Sequence, residues 1–135
     1  MILSENLSIY LQIAERICDE ILDNVYPPGE RIPSIREYAA MVEVNANTVV
    51  RSYEWLQRLE IIYNKRGLGY FVAPDGKHRI REMRREQFFR DELPKFFSRL
   101  YTLDIDVSEI EKQYAEYLKK KSGVLELNPP TDTIV

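Results

Sequence analysis

Four side chains in one short run can read a hydrogen-bonding surface: Asn45, Asn47, Thr48 and Arg51. An asparagine amide offers a donor and an acceptor side by side and matches the edge of adenine. An arginine fork matches guanine in the same two-point way. Further along, Lys65-Arg66-Gly67 puts two cations and a glycine at one tip, where side chains and backbone can approach phosphates or a minor groove. Other chemistry has little material. The one histidine, His78, lies in a basic helical stretch, and the one cysteine, Cys18, lies in an apolar stripe. There is no phosphate loop, no metal-ligand spacing and no nucleophile motif. An enzyme is therefore not expected, and neither is a cofactor or a metal.

Each of these residues also has a plainer reading. Asn45 caps a helix in any fold. Asn47 and Thr48 are ordinary first-turn residues. Arg51, Glu54 and Arg58 suit a solvated helix face with intrahelical pairs. Lys65-Arg66-Gly67 suits a simple hairpin turn. Only their order along the chain, on the right elements, raises them above these readings.

The elements that must position them can be read from periodicity. Ser8 stands before Ile9, Ile13, Ile17 and Ile21, spaced four apart, with Cys18 and Leu22 widening the stripe. That is an amphipathic helix with one buried face. Asn24 and Pro27-Pro28-Gly29 end it. Ser34 and Glu37 make a capping box for a helix of about two turns, carrying Ile35, Tyr38, Ala39 and Val42 on one face. After a tight turn at Glu43-Val44, Asn45 caps a third helix buried through Val49, Tyr53, Leu56 and Leu59. The period then switches. Ile61-Ile62-Tyr63 and Tyr70-Phe71-Val72 flank the glycine-bearing basic loop and read as a β-hairpin. Helix, short helix, tight turn, helix, hairpin is the order of a winged helix-turn-helix. In it a short helix braces the next, whose first residues reach base edges in the major groove.

Residues 77–101 return to a helical pattern. A basic first half (Lys77, His78, Arg79, Arg81, Arg84, Arg85, Arg90) precedes an apolar second half (Phe88, Phe89, Leu93, Phe96, Phe97, Leu100, Tyr101). Pro94 kinks this helix or marks its restart. Ser108 to Glu111 reads as a second capping box, opening a helix that ends near Lys119-Lys120-Lys121. The fold expected is mainly α with a small β-hairpin wing: a winged helix-turn-helix over 1–75, a two-helix dimerisation module over 76–121, and a disordered tail over 122–135.

Net charge is −3 over 135 residues, which opposes nonspecific polyanion binding. Residues 1–74 carry −3, residues 75–100 carry +3 and residues 101–135 carry −3. Affinity for nucleic acid must then come from local placement of cations. No apolar run approaches the ~20 residues that cross a membrane, and the N-terminus lacks the pattern of a secretory signal. A cytoplasmic protein is expected, with no membrane partner.

Three segments together resemble the DNA-binding domain of GntR-type bacterial regulators. They are Pro28-Gly29-Glu30-Arg31-Ile32-Pro33-Ser34-Ile35-Arg36-Glu37, Val44-Asn45-Ala46-Asn47-Thr48-Val49 and Arg66-Gly67-Leu68-Gly69-Tyr70-Phe71-Val72. The resemblance covers Ile9 to Val72. It implies that Arg36 matches an arginine that contacts DNA, that Asn45, Ala46, Asn47 and Thr48 open the recognition helix, and that Arg66 and Gly67 form a wing tip entering the minor groove. The DNA-binding set expected is Ser34, Arg36, Asn45, Ala46, Asn47, Thr48, Arg51, Lys65, Arg66 and Gly67. Ala46 and Val50 stand where many relatives carry arginine, and Arg51 is one position from the second of these. Glu43 and Glu60 stand where relatives carry glycine.

The short C-terminal part, with the Asn-x-Asn-Thr-Val run, is similar to the YtrA subfamily, whose members dimerise through a short helical module. The residues agree with this. Phe88, Phe89, Leu93, Phe96, Phe97, Leu100 and Tyr101 exceed what a two-helix arm can hide, and each is worth ~1.5–3 kcal/mol when fully buried. A two-fold partner would bury them once per subunit; the other reading is that they cover the winged domain of the same chain. The function expected is a dimeric repressor of transcription on a pseudo-palindromic operator. The alternative is a winged-helix module that docks a protein instead of DNA. A small-molecule effector could bind between arm and winged domain, but no polar constellation marks a pocket for it.

Overall fold

The computed structural model describes residues 7–127. Helix α1 (Ile9–Leu22), α2 (Ile35–Val42) and α3 (Ala46–Arg58) precede a hairpin of β1 (Ile62–Lys65) and β2 (Gly69–Val72). Then come α4 (Gly76–Gln87), a π-helical turn (Phe88–Glu92), α5 (Leu93–Thr102) and α6 (Val107–Leu127). This is the expected winged helix-turn-helix with a helical C-terminal region.

The chain forms two compact units, dividing between Glu86 and Gln87. In the first, Ile13, Ile17 and Ile21 of the α1 stripe are fully buried, with Ala14 and Cys18, whereas Ile9, in the first turn of the helix, is exposed. Val49, Tyr53 and Leu56 of α3 close the same core, and Ile61, Ile62 and Val72 extend it under the wing. Helix α4 belongs to this unit. Ile80 is fully buried, and Arg84 reaches Glu15 and Asp19 on α1. The boundary expected at residue 75 ends the winged motif itself, whereas compactness takes in the helix packed on it.

Polar groups in the core are paired, as burial demands. Tyr38 Oη donates to Glu20 Oε1 at 2.7 Å, and Tyr53 Oη donates to the Pro33 carbonyl at 2.6 Å. Ser52, the buried polar residue of α3, donates from Oγ to the Tyr10 carbonyl at 2.6 Å. That bond ties α3 to the first turn of α1.

The segment before α2 pairs with the wing. Arg31 bridges Phe71 across an antiparallel contact. Around it the Ile32 N–H donates to the Tyr70 carbonyl, the Val72 N–H to the Glu30 carbonyl and the Gly29 N–H to the Val72 carbonyl, each at 2.9 Å. It covers the outer edge of β2, which would otherwise present unpaired backbone groups.

The second unit meets the sequence expectation at the start of α5 and departs from it at both ends of α6. Pro94 marks a restart, one of the two expected outcomes: it lies in the first turn of α5, and a wider turn over Phe88–Glu92, with the Leu93 N–H bonded to the Phe88 carbonyl, precedes it. Proline lacks an N–H and its ring crowds the carbonyl four residues back, and one wider turn relieves both. Helix α6 begins at Val107, not at a Ser108–Glu111 capping box. Ser108 therefore lies inside the first turn, and its Oγ donates to Asp106 Oδ2 at 2.6 Å. The helix also continues through Leu127, past the lysine run where it was expected to stop. The remainder of the expected tail, 128–135, lies outside the described residues.

Candidate nucleic-acid interface

Helix α2 starts with a complete capping box. The Ser34 N–H donates to Glu37 Oε1 at 2.9 Å, and the Glu37 N–H donates to Ser34 Oγ at 3.1 Å. Those bonds, with the nearby Arg31, hold the Glu37 carboxyl below the ordinary glutamate range. Ser34 is half-buried and its hydroxyl is committed to the cap, whereas Arg36, one residue into α2, is exposed.

The turn to α3 depends on Glu43. Its backbone is left-handed, φ 55° and ψ 51°, and lets the Val44 N–H close on the Ala39 carbonyl at 3.1 Å. Glu60, just past α3, is also left-handed at φ 59°. Both positions keep a glycine-like geometry while carrying a side chain. Tyr38 and Ala39 of α2 and Val49 and Tyr53 of α3 are buried against one core, so the two helices form a braced pair.

This leaves the start of α3 standing out. Asn45, Ala46, Asn47 and Arg51 are exposed, and Thr48 is half-buried. Asn45 Oδ1 accepts the Asn47 N–H at 2.8 Å. That bond uses one of the two lone pairs of the oxygen and fixes the Asn45 side chain as the cap of α3. The Arg51 guanidinium lies over the ring of Tyr10, 4.1 Å from its centroid.

The wing is built for a tight approach. Paired residues run from Ile62 with Val72 to Lys65 with Gly69. The Leu68 N–H closes the turn on the Lys65 carbonyl at 2.8 Å, and Gly67 at φ 80° supplies the left-handed third position. Lys65, Arg66, Gly67 and Leu68 are all exposed. Tyr63 and Phe71, opposite each other in the register, stack with centroids 5.9 Å apart, and Lys65 Nζ sits 4.5 Å from the Phe71 centroid.

Two contributors were missed in the sequence. A Cβ on Gly69 would stand 3.0 Å from Arg31 Nε, so glycine at φ 108° lets that guanidinium lie against the base of the wing. Tyr10 lies under Arg51. Neither has a local signal, because each acts on a residue far along the chain.

Among the described residues no group of His, Cys, Asp and Glu could hold a metal, and no helix is long and apolar enough to cross a membrane. In the second unit Phe88, Phe89, Phe96, Phe97 and Tyr101 are exposed, Tyr101 at 90%, while Leu93 is half-buried and Leu100 is buried. On α6, Tyr114, Tyr117 and Leu118 are exposed as well.

Comparison with known proteins agrees with this geometry. The family model described as bacterial regulatory proteins, gntR family, matches residues 9–72. A crystal structure assigned to that family, from Bacteroides thetaiotaomicron, is 55% identical, covers 84% of this chain and 99% of its own, and superposes with a TM-score of 0.76. The HTH-type transcriptional regulator YhcF of Bacillus subtilis, itself uncharacterised, is 34% identical over 76% of this chain and 83% of its own. The HTH-type transcriptional repressor YtrA of the same organism is 36% identical over 51% of this chain and 53% of its own.

Proposed function

Because this chain belongs to the gntR family of bacterial regulatory proteins and is a DNA-binding transcriptional regulator, we propose that it is a homodimeric repressor that grips a pseudo-palindromic operator. Family membership leaves no need for the protein-docking alternative. In the proposed complex Asn47 and Arg51 read base edges in the major groove, with Asn45, Ala46 and Thr48 framing them. Arg36 and the Ser34 turn contact the backbone beside α2. Lys65, Arg66 and Gly67 follow the phosphates or enter the minor groove from the wing.

The observation that carries this reading is the exposed start of α3, which follows a fully capped α2, together with the exposed basic turn of the wing. On this reading the net charge of −3 is tolerable because Arg36, Arg51, Lys65 and Arg66 are all exposed. Repression is favoured over activation by the likeness to the YtrA repressor. Dimerisation is supported by the exposed Phe88, Phe89, Phe96, Phe97 and Tyr101. Patches of this kind on a soluble chain mark interaction surfaces, and two-fold pairing matches two half-sites about one helical turn apart. Leu93 and Leu100, expected in the same surface, are half-buried and buried in the single chain.

The test is protection of the neighbouring promoter by the purified protein, with its mass measured in solution. Two protected half-sites related by symmetry, bound by a dimer with affinity that falls steeply with salt, are expected. A monomer protecting a single unsymmetrical site would overturn the dimeric reading. Increased transcription on binding would overturn repression.

A further inference from the structure

The recognition helix does not present Arg51 alone. Its guanidinium lies 4.1 Å from the centroid of the Tyr10 ring. Tyr10 belongs to α1, at the far end of the winged unit's sequence, and is half-buried. Its place is not left to chance. Ser52, the residue after Arg51, is fully buried and donates to the Tyr10 carbonyl at 2.6 Å and to the Thr48 carbonyl at 3.2 Å. The backbone under the ring and the backbone under the arginine are therefore joined through one hydroxyl.

We propose that Tyr10 is a positioning residue for base recognition: it holds the Arg51 guanidinium by its face so that its edge is offered to the DNA. The inference rests on the reading of Arg51 as a base contact. A guanidinium donates its hydrogen bonds in its own plane, and an aromatic ring attracts it through the perpendicular face. Stacking therefore leaves the donor fork available for two-point bonding to guanine. It also removes freedom from a long side chain before DNA arrives, which lowers the ordering cost at binding.

The test uses the full chain and a panel of operators changed one base pair at a time, with binding followed by fluorescence anisotropy. Arg51→Ala identifies the base pair that Arg51 reads, as the one whose change no longer matters. Tyr10→Leu keeps an apolar body beneath the arginine but removes the ring face. It is expected to weaken operator binding by about two- to five-fold, the size of an exposed cation–π contact, and to flatten preference at that same base pair. Tyr10→Phe restores both, and Tyr10→Leu combined with Arg51→Ala is no weaker than Arg51→Ala alone. Thermal melting of each variant separates these effects from loss of fold. If Arg51→Ala alters preference but Tyr10→Leu leaves it intact, or if the two losses simply add, the positioning role is overturned while Arg51 stays a base contact. If Arg51→Ala alters no base preference, the reading of Arg51 fails and takes this role with it.

Discussion

Arg84 on α4 holds Glu15 on α1 at 2.9 Å, across a sequence separation of 69 residues. The same nitrogen reaches Asp19 at 2.8 Å, one helical turn further along α1. One arginine in the basic stretch after the wing is therefore used internally, to fasten α4 onto the winged unit. Arg79 is used in the same way, pairing Asp75 at 2.9 Å and Glu60 at 3.1 Å. The positive charge of residues 75–100 is thus partly spent on the protein's own carboxylates and is a poor guide to phosphate contacts.

Replacing Arg84 with methionine should loosen α4. The pair is about one-third exposed on each side, so solvent screening limits the loss to about 1 kcal/mol. A urea titration should show a lower midpoint, with DNA binding unaffected at low denaturant. An unchanged midpoint would mean the pair contributes nothing net.

Glu43 and Glu60 hold left-handed backbone at φ 55° and 59°. A side chain there costs roughly 1 kcal/mol relative to glycine. Glu43→Gly should therefore raise the melting temperature. Glu60→Gly should gain less, because it also gives up the contact with Arg79. A melting temperature lowered by Glu43→Gly would show that its side chain does more than occupy the turn.

Within the proposed interface, the two kinds of contact separate by salt. Asn47→Ala or Arg51→Ala should cost ~1–3 kcal/mol at particular base pairs. Lys65→Ala and Arg66→Ala should weaken binding to all sequences alike and reduce the slope of log K against log salt by about 1 each. Equal losses on specific and random DNA for Asn47→Ala would remove it from base recognition.

Cys18 should be chemically silent. Burial pushes its thiol up to about 12, the Glu15 and Asp19 carboxylates add to this and Arg84 opposes it. The thiolate is the reactive form, so alkylation at pH 8 should proceed only through unfolding. Rapid labelling of the native protein would contradict the buried placement.

The α2 capping box should give acid sensitivity. The folded-state pKa of Glu37 is depressed by its bonds to Ser34. Its stabilisation is therefore complete above the unfolded glutamate value and is lost as pH falls through the lower folded value. Glu37→Gln keeps a capping side chain without a titrating group, so its stability should fall less between pH 5 and pH 3 in matched denaturant titrations.

Much of this was legible in the residues because it is local. The spacing of Ile13, Ile17 and Ile21, the Ser34–Glu37 reciprocity and the Asn45 cap each involve one helix and its own backbone. So does the exposure of Asn47 and Arg51, which lie opposite the buried stripe of α3. A pattern with a period of a few residues carries such information without any partner.

What the tertiary structure alone decided involves residues brought together from far apart. Nothing near Tyr10 announces Arg51, nothing near Arg31 announces Gly69, and the arginines of α4 look alike until Arg84 meets Glu15. Ser108 had the right neighbours for a cap, yet the helix begins one residue earlier at Val107, so Ser108 lies inside the first turn and its hydroxyl donates to Asp106. Chain order specifies which faces are apolar and where helices begin. Which charges meet, and which are left to meet something else, depends on packing.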